Sequence, residues 1–157
     1  IMGPLIDKAA RDRMLDLIED AKQKGAKLVM GGEIPEKFKN GAYITPALLK
    51  DVNDNMRVSE EEIFGPIIPV QPFGTLDEAI EKANNTIFGL SAYFFGHNAK
   101  EISKFFEGVT AGEFFVNGGG GTEFSPHSGA KQSGMGCDKS KWSLEEYYDI
   151  KFLSLMP

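Results

Sequence analysis

Between residues 67 and 117 the hydrophobic period changes four times, from strand-like runs to helical spacing and back, and few folds accommodate that order. Residues 67–73 read as a strand. The capping-box spacing of Thr75 and Glu78 then opens a helix whose inward face is Leu76, Ala79, Ile80 and Ala83. Residues 91–96 form the next strand, Asn98 with Glu101 three positions on starts a second helix, and Ile102, Phe105, Phe106 and Val109 give it one apolar stripe. Residues 113–117 close the series as a third strand. Two successive crossovers bury both faces of a sheet and favour parallel pairing with right-handed connections. The expected fold class is therefore α/β, a sandwich with a mainly parallel sheet flanked by helices. Pro69 and Pro72 cannot donate to a ladder, so the first of these strands belongs at an edge or a bulge.

Upstream, Asp7 precedes an apolar stripe at Ala10, Met14, Leu17, Ile18 and Ala21 that stops at Gly25, the pattern of one amphipathic helix. Residues 27–30 and 42–49 read as strands, the second interrupted by Pro46, with their pairing left open. Downstream, residues 118–136 make a glycine-rich stretch too long for an ordinary connection, and such loops tend to carry function. Residues 143–149 read as a short helical turn, followed by a terminal strand over 150–155.

Charge and composition exclude several classes of partner. A net charge of −6 disfavours phosphate backbones and anionic lipid, and no apolar run approaches the ~20 residues that cross a bilayer. Nucleic acid and membranes are not expected partners. The start Ile1-Met2-Gly3-Pro4 lacks the regions of a secretion signal, and the single Cys137 forms no internal disulfide, so the expected setting is reducing and cytoplasmic. The sequon Asn84-Asn85-Thr86 is read as coincidence on the same grounds. His97 and His127 have no ligand spacing, and no metal site is expected.

The stretch from Ser59 to Pro66 sets Glu60, Glu61 and Glu62 beside Phe64 and a Gly65-Pro66 break, and two readings fit it. In one, Ser59 and Glu62 form a capping box at the start of a helix that Gly65-Pro66 leaves little room for. In the other, a carboxylate accepts hydrogen bonds from a ribose diol while Phe64 packs a flat ring. The run Gly118–Gly121 invites a phosphate-loop reading, but position 123 holds no glycine and Lys131 follows Ala130, so neither phosphate fingerprint is met.

Glu61-Glu62-Ile63-Phe64-Gly65-Pro66 resembles a signature of the aldehyde dehydrogenases. Further segments resemble that family in the family's order: Gly3-Pro4-Leu5-Ile6, Phe88-Gly89-Leu90, Pro126 with Gly129 and Lys131, Ser133-Gly134-Met135-Gly136, and Leu144-Glu145-Glu146-Tyr147. The resemblance implies that Glu62 holds the nicotinamide ribose of NAD or NADP and that Phe64 supports its ring. It places the glycine loop after Asn117, with Phe124 and His127, beside a small-molecule aldehyde. His127 stands where the family usually has phenylalanine, a departure that suits a polar or carboxylated substrate or a pH-sensitive contact. Ser128 and Ala130 depart from the commoner glycine and valine, and Cys137 stands where the family usually has arginine.

By resemblance the whole reaction is thiolate attack on the aldehyde, hydride transfer and thioester hydrolysis. The nucleophile, the base and the Rossmann unit belong upstream, so no catalytic residue is assigned here and the isolated chain is expected to be inactive. Residues 1–146 then form the C-terminal part of the catalytic domain, and residues 147–157 a strand that pairs subunits of a homo-oligomer. Two other classes stay open: a non-catalytic α/β ligand-binding domain, and an interaction module that joins a complete subunit.

Overall fold

Asp7 accepts a hydrogen bond from the Ala10 amide at 2.7 Å and so starts helix α1 (Lys8–Gln23) where the sequence expects it. The stripe faces inward: Met14, Leu17, Ile18 and Ala21 are buried against Ala47, Leu49, Val52, Met56, Val58 and Ile67. Each large aliphatic side chain withdrawn this fully from water stabilises by about 1.5–3 kcal/mol, so this cluster anchors everything around it. The computed structural model describes residues 2–156, which divide into two units at the Gly74–Thr75 step.

In the first unit β1 (Lys27–Met30) pairs antiparallel with β2 (Ala47–Lys50), and β2 pairs parallel with β3 (Ile67–Pro69). Pro69 sits on β3, which has β2 as its sole neighbour in the sheet, in agreement with the edge position its missing N–H requires. The strand expected over 42–49 is shorter and later. Pro46 has no amide to give, and Gly31 lies so close to its carbonyl that a Cβ there has no room, so regular pairing begins only after it. The four-residue helix α2 (Arg57–Glu60) follows Met56, and its first amide donates to Asp20 Oδ2 of α1 at 3.0 Å.

The second unit begins with Thr75 capping α3 (Leu76–Asn84) through the Glu78 amide, as the capping-box spacing implies. Strands β4 (Phe88–Gly89) and β5 (Ser91–Phe94) come next, then α4 (Ala99–Gly108) behind its Asn98 cap, and β6 (Glu113–Val116). β5 and β6 are parallel, with Ser91 opposite Glu113 and Phe94 opposite Val116, so α4 is a true crossover. Its Phe105 ring lies 5.3 Å from Phe94 and 6.1 Å from Phe114 between centroids. β7 (Ala130–Lys131) pairs antiparallel with β4, and α5 (Ser140–Glu145) opens three residues before the expected turn.

Among the described residues three small sheets therefore stand in place of the single mainly parallel sheet expected. The short, proline-bearing β3 is taken up by β2, and the β4–β7 pair is too short to leave any periodic trace. Asn84 fastens the ends of α3 and α4, donating to the Gly108 carbonyl at 2.7 Å and accepting from the Thr110 amide at 2.8 Å. The same side chain heads the sequon, and its amide is already engaged. Residues 150–156 lie outside any helix or strand, because the terminal strand expected there finds no ladder partner among the described residues. Nor is any helix among them long and apolar enough to cross a membrane.

Candidate functional site

One guanidinium shapes the loop over residues 61–66. Arg13, on α1, donates through Nη1 to the Ile63 carbonyl at 2.7 Å and through Nη2 to the Glu62 carbonyl at 2.7 Å and to Glu61 Oε2 at 3.1 Å. Arg57, one helical turn before Glu61, grips both oxygens of the same carboxylate. Their joint effect holds the Glu61 carboxyl below its ordinary range, the Arg57 hydrogen bond being the larger cause and Arg13 adding to it. Glu61 is thus a structural anion, spent on fixing the loop.

The next residues are presented outward. Glu62 is exposed, and its carboxylate has no hydrogen-bond partner among the described residues. Phe64 is 85% exposed with φ +48°, a left-handed conformation that costs a bulky residue roughly 1–3 kcal/mol and persists only where the surroundings impose it. Those surroundings are visible. Arg13 pins the preceding carbonyls, Gly65 lies against Met14 Sδ with no room for a Cβ, and the Pro66 carbonyl accepts the Ala47 amide at 2.8 Å. The motif reads physically as an anchor, an outward carboxylate, an outward ring and a close approach. The capping-box reading is corrected: Ser59 lies inside α2 and donates to the Asn53 carbonyl, while Asp20 serves the helix start.

In the second unit the glycine-rich segment leaves β6 through Asn117, whose side chain both accepts from the Gly96 amide and donates to the Gly96 carbonyl, each at 2.8 Å. It clips together the segments that follow β5 and β6. Thr122 and Ser125 then fold residues 122–125 into a local turn. Phe124, 79% exposed, lines a cleft of about 560 Å³ with Glu123, Ser140, Lys141, Trp142 and Leu144. The Glu123 carbonyl accepts the Ser140 amide at 3.0 Å, which ties the loop to the start of α5.

His127 does not line that cleft. Its backbone exchanges hydrogen bonds with Asp138, and its Nδ1 lies 2.8 Å from Glu113 Oε1. Ser91 donates to the other oxygen, Glu113 Oε2, at 2.8 Å. The His127 contact is the first cause of a lowered Glu113 carboxyl, with Ser91 and Lys139 acting in the same direction. Cys137 has its Sγ 3.4 Å from the Asp138 carbonyl and its amide on Glu146 Oε1, a structural setting. No group of three metal-ligating side chains occurs among the described residues.

Sequence reasoning missed Arg13, Asp20, Ser91 and Glu113. Arg57–Glu61 has the four-residue spacing of a helical ion pair and was open to detection. Arg13 lies 48 positions from Glu61, and Glu113 14 from His127, separations with no periodic signal.

Comparison with known proteins adds an independent finding. The model of the aldehyde dehydrogenase family matches residues 1–153. The mitochondrial succinate-semialdehyde dehydrogenase of Arabidopsis thaliana is 41% identical over 154 residues, 98% of this chain and 29% of that protein. An NADP-dependent enzyme of E. coli superposes with a TM-score of 0.90 at 38% identity, over 96% of this chain and 31% of that one. Staphylococcus aureus betaine aldehyde dehydrogenase, solved with NAD+, gives 0.86 at 32% identity over 93% and 30%. The chain spans about 30% of the length of such relatives.

The Arg13 anchor has a pH signature. A carboxyl lowered by folding adds stability that is complete above its unfolded pKa and is lost as pH falls through the folded one, and Glu61, lowered by Arg57 first and then by Arg13, is such a group. The gap in melting temperature between wild type and Arg13→Gln should therefore be widest near neutrality and narrow as pH falls below the ordinary glutamate range of about 4.3, without vanishing, because the bonds to the Glu62 and Ile63 carbonyls do not titrate. A gap that stays constant down the acid limb would contradict the assignment of Arg13 to the Glu61 carboxylate.

Proposed function

The chain belongs to the aldehyde dehydrogenase family, and on that premise we propose that it is the C-terminal part of an NAD(P)-dependent enzyme that oxidises an aldehyde to a carboxylic acid. The observation that carries this reading is the loop whose backbone is pinned by Arg13 while the Glu62 carboxylate and the Phe64 ring face outward. An outward carboxylate with no protein partner fits a vicinal diol, which offers two donors, and an exposed ring held in a left-handed backbone fits a flat heterocycle.

When bound, the nicotinamide supplies the hydride acceptor. Glu62 then fixes the ribose and Phe64 limits the ring to one side, which restricts the poses open to hydride transfer. Phe124 contributes an apolar wall and His127 a polar contact on the aldehyde side. Nucleophile and base come from upstream family segments, Cys137 being held by its neighbours' backbone, so the chain alone is inactive. Support also comes from the second unit's own packing: Val109 is its one buried hydrophobic among the described residues, while Tyr93, Phe95, Phe106 and Val116 stay exposed. In the complete protein these faces are covered, and the parallel β5–β6 pair belongs to the mainly parallel sandwich of a catalytic domain.

Residues 147–157 complete the proposal as the strand that pairs subunits: Ile150, Phe152 and Leu155 are exposed here, as an edge awaiting a second chain requires. A cytoplasmic setting, read from the single cysteine, goes with it.

In titrations of the assembled protein with NAD+, Glu62→Gln should raise Kd at least about tenfold, the scale of a lost hydrogen bond to a charged group. An unchanged Kd would sink the ribose assignment. A protein ending at Asp149 should sediment as a smaller species than one ending at Pro157, and equal masses would remove the pairing role of the terminal segment.

A further inference from the structure

Ser91, Glu113 and His127 form a hydrogen-bonded series whose order decides its chemistry. The Ser91 hydroxyl donates to the Glu113 carboxylate rather than to the imidazole, so it is not an activated nucleophile. Both Glu113 oxygens are occupied, one by Ser91 and one by His127, and the carboxylate side chain is only 15% exposed. A carboxylate accepts and does not donate, so the proton on the imidazole must sit on Nδ1. In a neutral ring that leaves the Nε2 lone pair free, and Nε2 has no hydrogen-bond partner among the described residues. The ring is held by Glu113, and three segments place the pair. Glu113 belongs to β6, Ser91 to β5, and the Asp138 backbone brackets His127 from the segment that also brings Lys139 towards Glu113.

We infer that Glu113, steadied by Ser91, fixes His127 with Nε2 outward as a hydrogen-bond acceptor, and that this acceptor selects aldehydes bearing a hydroxyl or ammonium donor. The inference rests on the proposed placement of His127 beside the aldehyde and narrows its substrate class. The side chain is 38% exposed, enough for a ligand to reach it. An alkyl aldehyde leaves the lone pair unmatched when it displaces water, whereas a donor-bearing one replaces the water bond, and sites built around a polar partner discriminate on that difference. Glu113 and Ser91 act through His127 and are positioning residues.

Two measurements test this. Long-range nitrogen–proton NMR of the imidazole at roughly pH 9, above the ordinary imidazole range, should show the Nδ1–H tautomer, with the Nε2–H form gaining in Glu113→Gln. An Nε2–H tautomer in the wild type overturns the inference, whether or not any variant folds. In the complete enzyme at the same pH, 3-hydroxypropanal and butanal serve as probes matched in size. The wild type should favour the hydroxyaldehyde in kcat/KM, His127→Phe should cut that preference about tenfold, and Glu113→Gln about threefold. An unchanged preference in His127→Phe, or a wild type that instead favours the anionic succinic semialdehyde, overturns it. Failure to reduce NAD+ or NADP+ with any aldehyde removes the dehydrogenase reading and this substrate class together, while the tautomer result still judges the geometry.

Discussion

The contact between the Arg13 guanidinium and three successive residues of a distant loop is the constraint on which the first unit depends. Helix α1 is fixed by its buried stripe, so Arg13 has a fixed origin from which to reach the Glu62 and Ile63 carbonyls and the Glu61 carboxylate. A planar guanidinium carries five donors in rigid array, which a flexible ammonium cannot imitate at three acceptors. The strain of Phe64 is tolerated because its neighbours on both sides are held, by Arg13 before it and by Gly65 on Met14 after it. The consequence is a division of labour between adjacent carboxylates. Glu61 is consumed in holding the loop, and Glu62 is left available for a ligand.

Much of this was legible from residue order, for identifiable reasons. Helix starts at Asp7, Thr75 and Asn98 follow from side chains that cap nearby amides, a local effect written in neighbouring residues. The buried face of α1 follows from the 3.6-residue period. Sheet partners did not follow, because β2 lies between β1 and β3 through contacts distant in sequence, and its boundary is set by the approach of Gly31 to Pro46 rather than by hydrophobic pattern. The sequence suggested a ribose-binding carboxylate near Phe64, yet nothing in the spacing of Glu60, Glu61 and Glu62 showed which of them the protein itself would use. That depended on Arg57, whose four-residue spacing to Glu61 carries a signal, and on Arg13, whose distance in sequence carries none. His127 was conspicuous by its type, but its tautomer became arguable only once Glu113 was found beside it.

The two units differ in how complete they are. The first closes a core of its own around α1, whereas the second is an aromatic cluster with a parallel pair and much apolar surface facing solvent. The chain spans about 30% of its relatives' length, and folding stability comes from buried area, of which the second unit has less. The backbone of Glu62 is already set by contacts within the first unit. The loop after Asn117 is shaped within the second unit, by the Asn117 clip to Gly96 and the Thr122–Ser125 turn.

A crystal structure of the assembled protein with NAD+ bound tests the account most directly. It predicts the Glu62 carboxylate within about 2.5–2.7 Å of the hydroxyls of the nicotinamide ribose, with Arg13 still on the Glu62 and Ile63 carbonyls. A complex in which that ribose is held by other groups while Glu62 faces bulk solvent would contradict it.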